Sequence, residues 1–228
     1  MIADRVSSDV EQFFDRIANR YADFYQSGKN NLHVKRLRLA MNDLLLTDKS
    51  VLDIGAGTGA LYNEIVKAGG CREYLGIDVS KQMLALSAIP QDAQLNCHFL
   101  DAELSKKYDV IFALGLTNYL SPADNLKLRD LIYDTIQNGG QAIISYTNAN
   151  NISNTIRKKL HRSTEDASSW TSISGCSRSF FTPAEVHAMW ANTSEWCYFN
   201  HNFGRPAKRT NFPIQSDFYT DFLVYVKG

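Results

Sequence analysis

The chemistry-bearing residues of this 228-residue chain concentrate in Val51-Leu52-Asp53-Ile54-Gly55-Ala56-Gly57-Thr58-Gly59. A short apolar run that ends in glycines and leads into a helical pattern is a strand-to-helix turn. Glycine there lets the backbone bend sharply and lets a ligand come close to the main chain. Gly55, Gly57 and Ala60 satisfy G-x-G-x-x-G/A, and Asp78 follows Gly59 by 19 residues, near the spacing of a ribose-binding acid in a dinucleotide site. Two details tell against a pyrophosphate ligand. The third glycine, Gly59, comes one position early, and Asp53 stands two residues before Gly55. A carboxylate repels a pyrophosphate. It attracts a cation by about 4 kcal/mol for unit charges 4 Å apart at an effective dielectric of 20.

S-adenosylmethionine carries a sulfonium and an ammonium group and no phosphate, so it suits Asp53 better than a dinucleotide does. Further stretches stand in order along the chain. Gly76-Ile77-Asp78-Val79-Ser80 follows a second strand pattern, and Asp101-Ala102 follows a third. Tyr108-Asp109-Val110-Ile111-Phe112 forms a fourth, and Asn138-Gly139-Gly140 precedes a fifth. With Val51–Gly59, these make the sequence resemble the class I S-adenosylmethionine-dependent methyltransferases of small-molecule type over about residues 48–147.

The resemblance implies roles. Asp78 would accept hydrogen bonds from both ribose hydroxyls, and Asp101 would accept from the adenine amino group. Ala102 would offer a backbone N–H to the ring, which Val79 and Met83 would wall. Gly55, Gly57 and the Leu114 carbonyl would line the methionine part, with Ala56 and Gly59 also in the cofactor site. An N-terminal helix would close over the cofactor and supply Tyr21 or Tyr25. Asp53 completes the expected cofactor set.

The acceptor is less legible. Methyl transfer from a sulfonium is an in-line displacement, so alignment and exclusion of water contribute most, roughly 7–11 kcal/mol. A base helps when the acceptor is a hydroxyl. Leu114-Gly115-Leu116-Thr117-Asn118-Tyr119 has no Asn/Asp-Pro-Pro-Tyr/Phe signature of base-amine methylation. No paired-glutamate loop and no Lys-Asp-Lys-Glu set can be assigned either. A small-molecule acceptor remains, methylated on oxygen or nitrogen. Candidate bases are Tyr119, Tyr146, His161, His187 and His201, with His201 between Asn200 and Asn202 the first choice. Acceptor contacts are expected at Tyr25, Asn118, Tyr119, Tyr146, Asn148, Trp170 and His201. Competing readings are a cofactor-binding partner protein without turnover, an RNA methyltransferase and a dinucleotide oxidoreductase.

The elements that position these residues follow from periodicity. Asp9–Gln26 repeats Phe13, Phe14, Ile17, Tyr21, Phe24 and Tyr25 at helical spacing, with Ser8 or Asp9 as cap and Gly28 as stop. Asn31–Leu46 is a second amphipathic pattern. Strands are expected at 51–54, 74–77, 95–100, 110–114 and 141–146. Helices are expected at 61–68, 80–88 and 123–137. Alternating strands and helices predict a Rossmann-like, doubly wound, mostly parallel α/β sheet with helices on both faces. A last strand at 217–226 is expected to run antiparallel. The expected layout is one domain: an N-terminal helical lid (1–47), a cofactor core (48–147), a substrate cap (148–212) and a final strand (213–228). The cap holds helical pieces at 152–160 and 183–190.

Composition agrees with a globular chain: 44% hydrophobic and 21% charged residues. Lys plus Arg and Asp plus Glu are both 24, which excludes a generally basic surface and gives no reason to expect nucleic acid as partner. The charge is unevenly spread, with 8 basic and 4 acidic residues in 151–212. Cys71, Cys97, Cys176 and Cys197 form no CxxC or Cys/His cluster, so no metal site and no disulfide framework is expected. The apolar run at 110–116 is far short of the ~20 residues of a membrane span. A cytoplasmic location follows as the default expectation.

Overall fold

A computed structural model describes residues 2–26, 32–150, 169–171, 177–190, 194–199, 208–210 and 221–228. Its centre is an eight-stranded sheet in the order β3-β2-β1-β4-β5-β10-β8-β9. The strands are β1 (Ser50–Ile54), β2 (Glu73–Asp78), β3 (Gln94–Asn96), β4 (Tyr108–Ala113) and β5 (Ile136–Thr147), then β8 (Ser194–Phe199), β9 (Lys208–Thr210) and β10 (Asp221–Lys227). β6 (Ser169–Thr171) and β7 (Ser177–Ser179) form a separate antiparallel pair. β1 to β5 pair in parallel. β10 runs antiparallel between β5 and β8. This is the Rossmann-like, doubly wound arrangement expected from the alternating pattern, with the antiparallel last strand.

Both faces of the sheet are buried, which explains why its strands are apolar throughout rather than alternating. On one face Leu52, Ile111, Ile144 and Val224 pack against Leu128 and Ile132 of α5 (Pro122–Thr135) and Val186 and Trp190 of α6 (Pro183–Trp190). On the other, Val51, Phe112, Ile143 and Leu223 pack against Leu37 of α2 (Leu32–Ala40) and Leu61 and Ile65 of α3 (Ala60–Lys67). Sheet order reverses between β1 and β4. The crevice beyond their C-terminal ends is the place where such sheets hold ligands.

Several boundaries differ from expectation. α1 runs from Ile2 to Gln26, so Ser8 and Asp9 lie inside the helix and do not cap it. No Gly or Pro precedes them to stop propagation. α2 stops at Ala40 rather than near Leu46, because Asp43 takes a left-handed conformation (φ 65°). α4 (Lys81–Ala85) is shorter than its apolar pattern. β3 is only three residues and gives way to a 3-10 turn, Phe99–Asp101. β5 begins at Ile136, directly after α5, and the Asn138-Gly139-Gly140 stretch is absorbed as a register shift against β4. β8 and β9 extend the main sheet, whereas sequence periodicity gave no strand there. The expected helix at 152–160, Gly28, His161 and His201 lie outside the described residues. No helix among the described residues is long and apolar enough to cross a membrane.

Candidate active site

A cavity of about 330 Å³ opens at the C-terminal ends of β1, β2 and β4, beneath α1. That is near the lower end of small-molecule sites. The glycine turn forms its floor. Gly57 has φ 54° and Gly59 φ 71°, conformations that an L side chain rarely adopts. Gly59 opens α3 with no side-chain cap, so the helix N-terminus faces the turn without a competing group.

Asp78, at the end of β2, locks this turn. Its Oδ2 accepts from the Gly57 N–H and its Oδ1 from the Ser80 N–H, both at 2.8 Å. A carboxylate has about four acceptor sites, so each oxygen keeps capacity for a further donor. Burial pushes the Asp78 carboxyl up to about 6, against the opposing pull of those two N–H groups. Asp53 is 3% exposed and accepts from the Tyr74 hydroxyl at 2.5 Å. Burial raises it to about 7, with the Tyr74 hydrogen bond acting in the other direction.

α1 is fastened to the site by an acid the sequence did not single out. Asp15 accepts from the Ser80 hydroxyl (2.5 Å) and the Gln82 N–H (3.1 Å). Ser80 in turn caps α4 by accepting from the Met83 N–H. The inner face of α1 presents an aromatic row. Phe14 meets Tyr21 edge-on at 5.8 Å and Tyr119 at 4.8 Å between centroids. The Tyr21 and Tyr25 hydroxyls are 3.4 Å apart. Burial holds the Tyr21 phenol well above its ordinary pKa.

Of the sequence-derived residues, Tyr21, Tyr25, Asp53, Gly55, Ala56, Gly57, Asp78, Val79, Met83, Asp101, Leu114 and Tyr119 line the cavity. Gly59, Ala102 and Asn118 lie beside lining residues but do not line it themselves. Tyr146 is a correction: its ring is in the core, its hydroxyl accepts from Trp190 Nε1 at 2.9 Å, and burial raises its pKa. Asn148 is fully buried and its Oδ1 accepts from the Asn150 N–H, again away from the cavity lining. His187 sits on α6 and does not line the cavity. The side chain of Trp170 and all of His201 are outside the described residues.

Residues that sequence reasoning passed over include Phe14, His98, Asp124 and Lys127, all in the lining. His98 Nδ1 accepts from the Leu100 N–H (3.3 Å), and burial lowers its pKa. Phe14 had a signal, the aromatic repeat of α1, but that repeat is equally the mark of core packing. Cys71 and Cys97 are free thiols. Among the described residues no group of three or more His, Cys, Asp or Glu side chains is placed to hold a metal ion.

A glycine turn locked by an acid at the end of the second strand, at a sheet switch point under an N-terminal helix, makes this a Rossmann-like ligand site. Comparison with known proteins shows what the chain is similar to. Residues 52–142 match a family model described as "Methyltransferase domain". The chain is 29% identical over 143 residues to a carboxy-S-adenosyl-L-methionine synthase of Nautilia profundicola, covering 60% of this chain and 58% of that protein. It is 23% identical over 149 residues to a ubiquinone biosynthesis O-methyltransferase of Hydrogenovibrio crunogenus, covering 60% and 59%. The matched stretches thus span less than two thirds of these relatives. Among solved structures, the fold is similar to magnesium protoporphyrin IX methyltransferase of Synechocystis with bound S-adenosylhomocysteine. That pair has TM-score 0.66 and 16% identity over 98% of this chain and 100% of the other. A Thermotoga maritima methyltransferase gives TM-score 0.66 and 14% identity over 95% and 98%.

Proposed function

We propose that the chain transfers the methyl group of S-adenosylmethionine to an oxygen or nitrogen of a small-molecule acceptor. The observation that carries this is Asp78: a half-buried carboxylate already holding the glycine turn, with acceptor capacity left on both oxygens. The donor set fits the cofactor. Asp78 suits two ribose hydroxyls, and Asp101 suits the adenine amino group, with Val79 and Met83 against the ring. Asp53 is a buried carboxylate close to where cationic groups would lie, and such a group favours cations over phosphates. Arg36, 8% exposed, brings a guanidinium nitrogen to 3.4 Å from where a Gly115 side chain would begin. That position suits the cofactor's carboxylate.

When bound, the cofactor supplies a methyl group on a good leaving group. The chain's own residues then need to align and to keep water out. Phe14, Tyr21, Tyr25 and Tyr119 roof the cavity and do the second. Tyr21, its phenol held protonated by burial, acts as a hydrogen-bond donor and not as a base. Tyr119 and Tyr25 are the described residues best placed to touch an acceptor.

Binding of S-adenosylhomocysteine, measured by calorimetry, is the direct test. Wild-type protein is expected to bind in the micromolar range. Asp78→Ala is expected to weaken binding on the order of 30-fold or more, the cost of charged hydrogen bonds lost from a buried site. Gly57→Val is expected to abolish it through strain at a left-handed position. Unchanged binding in both variants would overturn the proposal. Release of S-adenosylhomocysteine from S-adenosylmethionine in a metabolite extract separates turnover from binding alone.

A further inference from the structure

Leu116, Tyr119 and Leu120 form the part of the cavity wall that lies between β4 and α5. Their backbone runs through a single 3-10 turn, Thr117–Tyr119, and side chains from outside that turn hold it. From β5, the Ser145 hydroxyl accepts from the Gly115 N–H and the Ser145 carbonyl accepts from the Thr117 hydroxyl, both at 2.7 Å. From α5, Asn125 Nδ2 faces three carbonyls, those of Thr117 at 3.0 Å, Ser121 at 3.1 Å and Leu120 at 3.4 Å. Three acceptors around one amide nitrogen fix its orientation, because a flipped amide would set oxygen against oxygen.

Packing alone does not call for asparagine there. Asn125 is 0% exposed and shares the buried stripe of α5 with Leu128 and Ile132, three and seven residues further on. An apolar side chain suits such a stripe. Asn125 instead leaves its Oδ1 buried with no hydrogen-bond partner among the described residues, and an unpaired buried acceptor is destabilising. Nor do the three carbonyls depend on it. Thr117 O also accepts from the Leu120 N–H, and Ser121 O from the backbone N–H of Asn125 itself. Leu120 O accepts from the Ser179 hydroxyl of β7 at 2.8 Å. What the Asn125 amide adds is geometry: it ties the start of the turn and the two residues after it to one rigid point.

We infer that Asn125 is a positioning residue, which sets the turn so that Leu116 and Tyr119 stand at the spacing the bound ligand needs. Asn125 does not line the cavity and acts through these two lining residues. This rests on the methyltransferase reading of the same cavity.

Asn125→Leu tests it, because the variant extends the apolar stripe and removes the tie. Its melting temperature is expected to be no lower than that of wild type. Its affinity for S-adenosylhomocysteine, measured by calorimetry, is expected to fall about 5-fold or more, as for a site whose support is loosened. Amide exchange of the ligand-free chain is expected to quicken in residues 115–121 and to stay unchanged in the rest of the sheet. Asn125→Ser, which keeps one donor, is expected to lie between the two in affinity, and it is read in the same way should Asn125→Leu not fold. Affinity within about 2-fold of wild type overturns the inference. So does a loss of affinity with faster exchange throughout the sheet, which would make Asn125 a support of the fold. A wild-type chain that does not bind S-adenosylhomocysteine overturns instead the proposed function. The exchange measurement needs no ligand and then still decides on Asn125: unchanged exchange in residues 115–121 overturns its role.

Discussion

At the scale of single residues, two acids, Asp53 buried and Asp78 half-buried, set the electrostatics of the crevice. Asp53 and Asp78 are raised to about 7 and about 6, in both cases mainly by burial. A carboxyl raised on folding contributes stability that is full below its unfolded pKa and is lost as pH rises through the folded value. The ligand-free chain should therefore lose melting temperature from about pH 4 to about pH 7 from these two groups. The proposed function has both ionised when the cofactor binds, so affinity for S-adenosylhomocysteine should rise over the same window. Scanning calorimetry with and without ligand checks both signs. Tyr74→Phe removes the hydrogen bond that opposes the rise at Asp53. Its affinity profile should shift to higher pH, with weaker binding at pH 7 that recovers by about pH 8.5. A profile that does not move would show that Asp53 does not face the ligand. The acids themselves were legible in the sequence, because their spacing from the glycines is local. Tyr74 and Asp15 were not, because each meets its partner across β2 or from another element.

At the scale of elements, α1 is coupled to the cofactor crevice through α4. Asp15 bonds the hydroxyl of Ser80, whose backbone N–H is held by Asp78. Asp15→Ala should cost about 1.5–3 kcal/mol for hydrogen bonds to a charged group, read by urea denaturation. It should also weaken S-adenosylhomocysteine binding and increase amide exchange in α1. Loss of stability with unchanged affinity would show that α1 covers the site without shaping it. Periodicity found every flanking helix of the core and six of its strands, since each carries its own apolar face. It placed ends less well. Asp43 and the 3-10 turn after β3 end their elements through backbone conformations that hydrophobic spacing does not encode. β8 and β9 escaped notice because Ser194–Phe199 and Lys208–Thr210 carry no clear apolar alternation of their own.

At the scale of the whole molecule, both core layers reach the cavity, the α2–α3 side through Leu37 and Leu61 and the α5–α6 side through Phe99, Leu120 and the start of α5. The far end of the α5–α6 layer serves the sheet alone. Trp190 is fully buried there and donates to Tyr146. Trp190→Phe should cost about 2–4 kcal/mol for the lost packing and hydrogen bond. Because neither residue lines the cavity, ligand affinity should stay within about 2-fold of wild type. Equilibrium unfolding and calorimetry on the same variant measure the two separately. The placement of Tyr146 in this layer also explains why a polar residue near the end of β5 was misassigned to the site. Successive residues of a strand point to opposite faces, and the sequence does not show which face the acceptor approaches.

The position of β10 has a consequence for how such a chain can diversify. β10 fills the slot between β5 and β8, with Tyr225 opposite Ile143 and Glu195. The ladder is thereby closed at both ends of the excursion that runs from residue 148 to residue 220. Lengthening an excursion between fixed anchors costs only about 0.6 kcal/mol per doubling. No described residue of this stretch lines the cavity, so apart from α6, which packs into the core, β7, which bonds Leu120, and β8, which pairs with β10, it can drift in length and composition while the cofactor crevice stays intact. New acceptors are thus within reach of small sequence changes on a frame that does not have to be rebuilt.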